Sequence, residues 1–591
     1  MIMTANAAPE NHPPSMPPPI PTEWRVAQVD PEKAAALARE VRVPSAVAAV
    51  YVARGLETGA QIREFLDLGL HRLHDPMLLP DVEPALDRLC HALDDHELIH
   101  VHGDYDVDGV TATAVVVTAL RRLGANFTYQ VPHRTEDGYD LKTQTVERAA
   151  GIGAGLVMTV DCGILAFDAA DRARELGLDL IVTDHHHPAA DGRLPDCVAV
   201  VNPNRADSLY PFPGLAGVGV AFKLMMALWE RRGHAPAEIL DDLVDYVALG
   251  TVADVAPMRD ENRVLVSLGC KQLTARQKVG VNELLRVAGV QRVSPTNIGF
   301  SLGPRINAVG RLADSATALA LMLETDPGRA AALAGEMDLL NKRRQALQEQ
   351  ALGEAREQLP SNLVDQHVVV LDHPAWHPGV VGLVAGNLAE SLGRPVVVCS
   401  TMPDGQVRGS CRSTRSFNII QALQAPGCAE LFTRCGGHAF AAGFELPAEN
   451  LPALRARLNE YALRVMGPEP PKRVLEIDAE IPAADIAPRA CQALTSLAPF
   501  GQGNADPLLL ARTMTVASCR TIGVDGRHLK LALRGSPPRG PAIQGVYWKH
   551  GADCSLYPPG ASVDAVFSLD FNEYQGRREL QMTIRDMKRC P

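Results

Sequence analysis

Between residues 97 and 201, short apolar runs alternate with longer polar and mixed segments. The runs fall at 97–102, 127–132 (FTYQVP), 156–161 (LVMTVD), 179–184 (DLIVTD) and 198–201 (VAVV), with helix-compatible stretches between most of them. Apolar runs of this length read as buried strands, and strands alternating with helices at this spacing predict a parallel α/β sheet. Upstream, VPSAVAAVYVARGL and IREFLDLGL have helical apolar spacing, so residues 24–95 read as an N-terminal helical region. Downstream, Asp326-Pro327 makes an N-cap and first-turn pair for a segment reaching Leu359. Fully helical, that segment spans about 50 Å, although Gly335 and Gly353 lower its propensity.

A second α/β region, 360–470, opens on the strand HVVVL. From 471 the pattern changes to short alternating strands, among them VLEIDAEI, TMTVASCRTIG, HLKLALRG and AIQGVYW, which predict a small β-barrel over 471–591. The expected fold class is therefore α/β: a parallel-sheet domain (96–325), a linking helix (326–359), a second α/β domain and a C-terminal β-barrel.

A chain of 591 residues exceeds one core and predicts about three or four domains. Its 46% hydrophobic and 21% charged residues are ordinary for a soluble globular protein. No apolar run approaches the roughly eighteen residues needed to cross a bilayer, so no membrane association is expected. The first twenty-two residues hold seven prolines and no basic segment followed by an apolar core, so 1–23 reads as a disordered leader. Twelve cysteines occur without a C-x-x-C pair, which fits free thiols in a reducing cytoplasm. The net charge of −12 is unfavourable for a nucleic-acid binder, so such binding requires a local basic surface. From Pro471 onward the balance is +3, leaving −15 on the rest.

The chemistry gathers where the apolar runs end. The first run is followed by His102, Asp104, Asp106 and Asp108, the third by Asp161-Cys162-Gly163, and the fourth by Asp184-His185-His186-His187. The fifth leads into Asn202-Pro203-Asn204, and the apolar segment YVALGTVADVAP delivers Asp254. In parallel α/β sheets, ligands bind beyond the carboxyl ends of the strands. Crowded carboxylates raise one another's pKa unless solvated, protonated or neutralised by a cation, and hard oxygen donors with some imidazole favour Mg²⁺ or Mn²⁺. An Asp-rich surface turn is the alternative for the triplet, and helix N-caps account for single aspartates. N-caps explain neither the adjacent histidines nor the triplet.

HGDYDVDG, VDCG, TDHHH and GTVADVAP, in this order, resemble the four motifs of the DHH phosphoesterase superfamily. LYPFPGLAGVGVAFK, GPRINAVGRL, WHPGVVGLVAG, GSCRS and GGHAFAAG extend the resemblance to its bacterial RecJ branch, single-strand-specific 5′→3′ DNA exonucleases. The likeness runs over roughly residues 95–591. Three positions depart from the family pattern: Asp140 and Cys411 stand where glycine is usual, and Ala505 stands within FGQGNADP where FGxGNP is expected.

The resemblance implies two divalent cations, Mn²⁺ or Mg²⁺, held by His102, Asp106 and Asp161 on one side and by Asp108, Asp161, His185 and Asp254 on the other. It gives Asp104 and His186 catalytic roles, with Asp104 orienting a ligand or water and His186 meeting the scissile phosphate or the leaving 3′ oxygen. Arg305, Asn307, Arg311, His377, Ser410, Arg412 and His438 fall inside family motifs and are the expected phosphate and DNA contacts. A planar guanidinium suits phosphate. The resemblance also implies a DHHA1 second domain and an OB-fold barrel, with Tyr547, Trp548, Lys549, Arg577 and Arg578 as candidate contacts to single strands.

The implied activity is two-metal hydrolysis of single-stranded DNA to 5′-mononucleotides in repair and recombination. It would be performed by a cytoplasmic monomer working with a single-strand-binding protein and a RecQ-type helicase. Two other readings remain at this level. One is a DHH hydrolase of small phosphodiesters; the barrel argues against it. The other is a non-catalytic replication scaffold; retention of Asp106, Asp108, Asp161, His185 and Asp254 argues against that.

Overall fold

The computed structural model describes residues 22–133, 140–360, 363, 366–469, 473–535, 541–574 and 577–590. Nearly all of the expected leader lies outside them; residues Thr22–Val26 form a strand. The chain divides into two compact units. One comprises Asn341–Leu475 with residues 22–24, and the other Arg25–Leu340 with Glu476–Pro591.

In the larger unit, strands Leu98–His102, Asn126–Gln130, Leu156–Val160, Asp179–Thr183 and Ala199–Val201 form one all-parallel sheet. Numbered along the chain, their spatial order is second, first, third, fourth, fifth. Burial on both faces explains why Leu156–Val160, Asp179–Thr183 and Ala199–Val201 read as apolar runs rather than alternating ones, whereas the edge strand Asn126–Gln130 is only partly buried. The order reverses between Leu98–His102 and Leu156–Val160, and such a switch point opens a crevice beyond the carboxyl ends. Helices Val107–Arg122, Gly217–Arg231 and Pro236–Ala253 pack beside the sheet in the same core.

The N-terminal helices contribute to two different cores. Leu86 and Leu89 are buried with the parallel sheet. Leu37, Val47, Val50 and Ile62 are buried with Leu509, Leu531, Phe567 and Ile584 of the C-terminal barrel. Arg54 pairs with Asp478 at 2.9 Å, and the Tyr51 hydroxyl donates to Ala493 O at 3.1 Å.

In the barrel, Leu509–Ile522 pairs with both His528–Arg534 and Ser562–Tyr574. Ile543–Tyr547 and Arg577–Arg589 complete the ring. Closure removes the exposed strand edges that an open sheet would leave. Met258 N donates to Gln502 O and Arg259 to Gly503 O, so the segment leading into the barrel is fastened to the turn that follows Asp254; Arg263, on helix Asp260–Ala275, donates to Phe65 O of the N-terminal region and to Leu497 O.

The linking helix runs from Pro327 to Glu357, with the Asp326 side chain accepting from Arg329 N at 2.7 Å. Both glycines are accommodated without a break. The smaller unit holds a mixed five-stranded sheet in the order Arg434–Gly437, Ala441–Pro447, Gln406–Arg412, Val396–Thr401, Val369–Asp372, flanked by helices Pro378–Leu392 and Leu451–Met466.

Candidate active site

The acidic turn after the first strand is also a helix start. Asp106 accepts from Asp108 N at 2.8 Å and Gly109 N at 3.1 Å, capping the helix that begins at Val107. Asp108 is thereby turned inward, where its carboxylate accepts from Gly217 N at 2.7 Å and Val218 N at 2.9 Å at the start of another helix. Asp161, at the end of the third strand, has a φ of +62° and is 2% exposed. Backbone strain of this kind concentrates at functional sites. A Cβ on Gly217 would lie 2.6 Å from the Asp161 Cβ, so only glycine there lets the carboxylate occupy its position.

Asp184 is fully buried, and its job is to shape the loop. One of its oxygens accepts from His185 N, His186 N and the His186 ring Nδ1, at 2.7, 3.0 and 2.8 Å, and the other accepts from Ile164 N at 3.0 Å. Asn204 and Asn202 clamp the same loop, donating to His185 O at 2.6 Å and His186 O at 2.9 Å.

These constraints bring His185 Nε2 to 3.2 Å from Asp161 Oδ1, 3.8 Å from Asp108 and 3.9 Å from Asp254. Three groups of potential ligands each converge within 4.8 Å: Asp104, Asp106 and Asp161; Asp108, His185 and Asp254; and Asp161, His185 and His186. His102, buried at the end of its strand, is in none of the three. Of the expected metal and catalytic residues, the structure therefore gathers Asp104, Asp106, Asp108, Asp161, His185, His186 and Asp254, with Asp161 shared between two groups. Asp104 converges together with the expected ligands Asp106 and Asp161.

The electrostatics follow from burial. Burial and the Asp106 charge push Asp108 up to about 7; burial with Asp108 and Asp106 pushes Asp254 up to about 8. Asp161 is driven well above the carboxylate range by burial and the Asp108 charge. Burial and neighbouring His186 lower His185 to about 4, leaving a neutral imidazole with a usable lone pair. Burial lowers His186 too, but its Asp184 hydrogen bond and the surrounding carboxylates outweigh this and hold it at about 9.

Divalent cations fit this donor set. The buried Asp161 Oδ1 and His185 Nε2 face each other at 3.2 Å, and among the described residues neither atom has a hydrogen-bond partner. The surrounding donors are hard carboxylate oxygens and neutral imidazole nitrogen, the ligand chemistry of Mg²⁺ and Mn²⁺.

Asn307 and Arg311 lie one helical turn apart on Gly303–Leu312. Gly310 of that helix approaches the acidic turn: a Cβ there would lie 3.0 Å from Tyr105 O. Arg305, on the same helix, donates to Asp338 at 3.0 Å and Ser301 O at 2.7 Å, so its guanidinium is engaged in fastening this helix to the linking helix.

The other expected phosphate contacts lie in the smaller unit. Ser410 and Arg412 occupy alternate positions of one strand, with Arg412 donating to Ser410 Oγ at 3.2 Å. Gly443 and Ala441 of the GGHAFAAG strand stand opposite them. His377 caps helix Pro378–Leu392, its Nδ1 accepting from Gly379 N at 3.0 Å, and His438 is exposed beyond Gly437. The side chain of Arg577 lies outside the described residues. Trp548 is half-exposed beside His528, while Tyr547 is buried and stacks on His550 at 3.6 Å.

Two departures from the family pattern have local explanations. Asp140 has a φ of +75°, where glycine is the usual solution and aspartate one of the few side chains tolerated. Cys411 is buried in an extended strand that places no such demand on the backbone.

Comparison with known proteins agrees with this architecture. Residues 98–251 match the DHH family N-terminal domain, 365–463 the DHHA1 domain and 477–586 the RecJ OB domain. A Bacillus subtilis relative, a single-stranded-DNA-specific exonuclease RecJ, is 35% identical over 566 residues, covering 95% of this chain and 70% of its own length. The Escherichia coli protein of the same name is 34% identical over 571 residues, covering 92% of this chain and 95% of its own. The crystal structure of RecJ from Thermus thermophilus in complex with Mn²⁺ superposes with a TM-score of 0.81 at 32% identity, over 96% of this chain and 80% of that one. By sequence across nearly its whole length and by all three of its domains, the chain belongs to the RecJ family within the DHH phosphoesterases.

Proposed function

We propose that this chain is a single-stranded-DNA-specific exonuclease that hydrolyses phosphodiesters 5′→3′ to 5′-mononucleotides with two divalent cations, in DNA repair and recombination. The observation that carries this reading is the convergence of Asp104, Asp106, Asp108, Asp161, Asp254 and His185 at the switch point of a parallel sheet, in a chain of the RecJ family. Thermus RecJ has been crystallised with Mn²⁺ and with Mg²⁺, and the donor set here suits both.

Asp106 and Asp161, together with His102 from the adjoining strand end, would hold one cation, and Asp108, Asp161, His185 and Asp254 would hold the other. When bound, the pair supplies charge for both the attacking and the leaving oxygen and a water of lowered pKa. Asp104 orients water at the first position. His185 stays neutral through burial and keeps its Nε2 lone pair available. His186, held through Nδ1 by Asp184 and protonated at neutral pH, donates from Nε2 to the phosphate and to the leaving 3′ oxygen. Asn307 and Arg311 bind the strand beside the acidic turn. His377, Ser410, Arg412 and His438 bind phosphate on the smaller unit, and Arg305 serves mainly to position the helix that carries Asn307 and Arg311.

Among the described residues no helix is long and apolar enough to cross a membrane. We take the chain to act as a cytoplasmic monomer on strands opened by a RecQ-type helicase and covered by single-strand-binding protein. Sedimentation and binding assays with those partners test this.

The deciding experiment is cleavage of single-stranded DNA labelled at the 5′ or the 3′ end, with Mn²⁺, Mg²⁺ or chelator, for the wild type and Asp161→Ala. Immediate release of labelled mononucleotide from the 5′ end, lost with chelator and in the variant, supports the reading. Release from the 3′ end, or equal degradation of blunt duplex, overturns it.

A further inference from the structure

The helix carrying Asn307 and Arg311 begins in an unusual way. Residues Ile298–Leu302 form a π-helical turn that runs directly into Gly303–Leu312. π-Helical turns are rare and concentrate at functional sites. Ile298 and Leu302 are buried in the core, which leaves the intervening Phe300 82% exposed, among the most exposed large apolar side chains of the described residues.

This segment borders both sides of the acidic site. At its far end, Gly310 abuts the backbone of Tyr105 between Asp104 and Asp106. At its near end, a Cβ on Gly299 would lie 4.0 Å from Val252 Cγ1, and one on Gly303 would lie 3.6 Å from the Ala253 Cβ, in the turn that ends in Asp254.

The residue after Asp254 is also anomalous. Val255 has a φ of +60° and is 60% exposed. Its position closes the helix, with Ala256 N donating back to Thr251 O at 3.1 Å, and glycine ordinarily fills such a place. A β-branched residue there is a backbone outlier. An apolar side chain is thus kept exposed beside Asp254 against the local backbone preference, at the end of the helix whose last residues, Val252 and Ala253, approach the π-turn.

We propose that Phe300 is a substrate-positioning residue that stacks an unpaired nucleobase of the strand whose backbone is held at the acidic site. The inference rests on the nuclease reading above and adds a base contact to it. Its occupant follows from continuity with that site: the helix that presents Asn307 and Arg311 to the backbone continues from the π-turn that presents Phe300, about 10 Å from Asn307 and about 16 Å from Arg311 along the axis. A flat apolar ring accepts the π-face of any base, so the contact is indifferent to sequence. A base inside a duplex has both faces covered, so the contact is available to single strands alone.

The test is steady-state hydrolysis of an end-labelled oligonucleotide by the Mn²⁺-loaded full chain, as wild type, Phe300→Ala and Phe300→Trp. Because the ring is exposed, its removal leaves the fold intact, as circular dichroism will show. Phe300→Ala raises KM by about 5- to 150-fold with kcat little changed, and Phe300→Trp restores it. With abasic positions replacing the first several nucleotides, wild type and Phe300→Ala converge on the same KM. An unchanged KM in Phe300→Ala, or an equal loss on base-bearing and abasic strands, overturns the proposal while wild-type cleavage still upholds the nuclease reading. Failure of the wild type to cleave single strands would instead overturn that reading.

Discussion

Gly217→Ala is the sharpest probe of how the metal site is built. The added methyl would lie 2.6 Å from both Cβ and Cγ of Asp161, where ordinary contact begins at 3.4 Å. Asp161 cannot retreat easily, because its backbone N donates to Thr183 O at 3.0 Å and its φ is already +62°. The helix cannot retreat either without stretching the 2.7 and 2.9 Å bonds from Gly217 N and Val218 N to Asp108. One of two ligand carboxylates must therefore move by roughly 1 Å, a displacement that costs about 100-fold in kcat/KM, while overpacking costs about 1–3 kcal/mol of stability. The assay is the initial rate on 5′-labelled single strands at saturating Mn²⁺, with calorimetric titration of Mn²⁺ and a melting curve. The control is Gly219→Ala, whose methyl would meet the Leu215 side chain at 3.1 Å and no ligand. Folded Gly217→Ala with wild-type rate and Mn²⁺ affinity, or equal losses in both variants, would refute the reasoning.

Other outcomes follow from the same geometry. Asp184→Asn removes the charge that holds His186 at about 9, so the high-pH limb of the rate profile shifts downward and activity falls about 10²- to 10⁴-fold. Lys223 and Glu261 form a fully buried pair at 2.8 Å, with the Tyr210 hydroxyl also donating to Glu261 at 2.5 Å; Lys223→Met strands that carboxylate and destabilises by about 3–5 kcal/mol in urea denaturation. Burial lowers His100 to about 4, so between its unfolded value near 6.5 and about 4 only the unfolded chain takes up the proton. Stability therefore falls with acid by about 1.4 kcal/mol per pH unit across that window. In His100→Gln this slope diminishes in denaturation curves at pH 7 and pH 5. Mn²⁺ at about 100 times its dissociation constant stabilises by about 2.7 kcal/mol, read as a melting shift that chelator reverses and Asp161→Ala lacks.

The inner strands of the parallel sheet were legible because strands buried on both faces are largely apolar; the edge strand Asn126–Gln130 is only partly buried and mixed in composition, yet all five lie within a residue or two of the expected runs. The carboxylates were legible because polar residues at strand ends belong to the ligand side of such a sheet. Less visible were the groups that hold them. Asn202 reads as a turn residue in N-P-N, yet it and Asn204 clamp the histidine loop through its carbonyls. Asp184 leads the histidines in sequence, and only its four hydrogen bonds show that its oxygens are occupied in positioning them. Arg305 sits in a phosphate-like motif, but its partner Asp338 lies thirty-three residues away on another helix.

What the sequence determined by itself is whatever depends on local periodicity and residue type: the strands and helices, the capped start of the linking helix, the barrel, and the inventory of oxygen and imidazole donors. The tertiary structure alone decided which donors meet. Convergence on Asp161 depends on the strand order that places the third strand beside the first, and on a glycine fifty-six residues further along whose missing side chain makes room for the carboxylate. It likewise decided that the N-terminal helices split between two cores, because buried apolar faces choose partners by shape in three dimensions and leave no mark of that choice in the spacing along the chain.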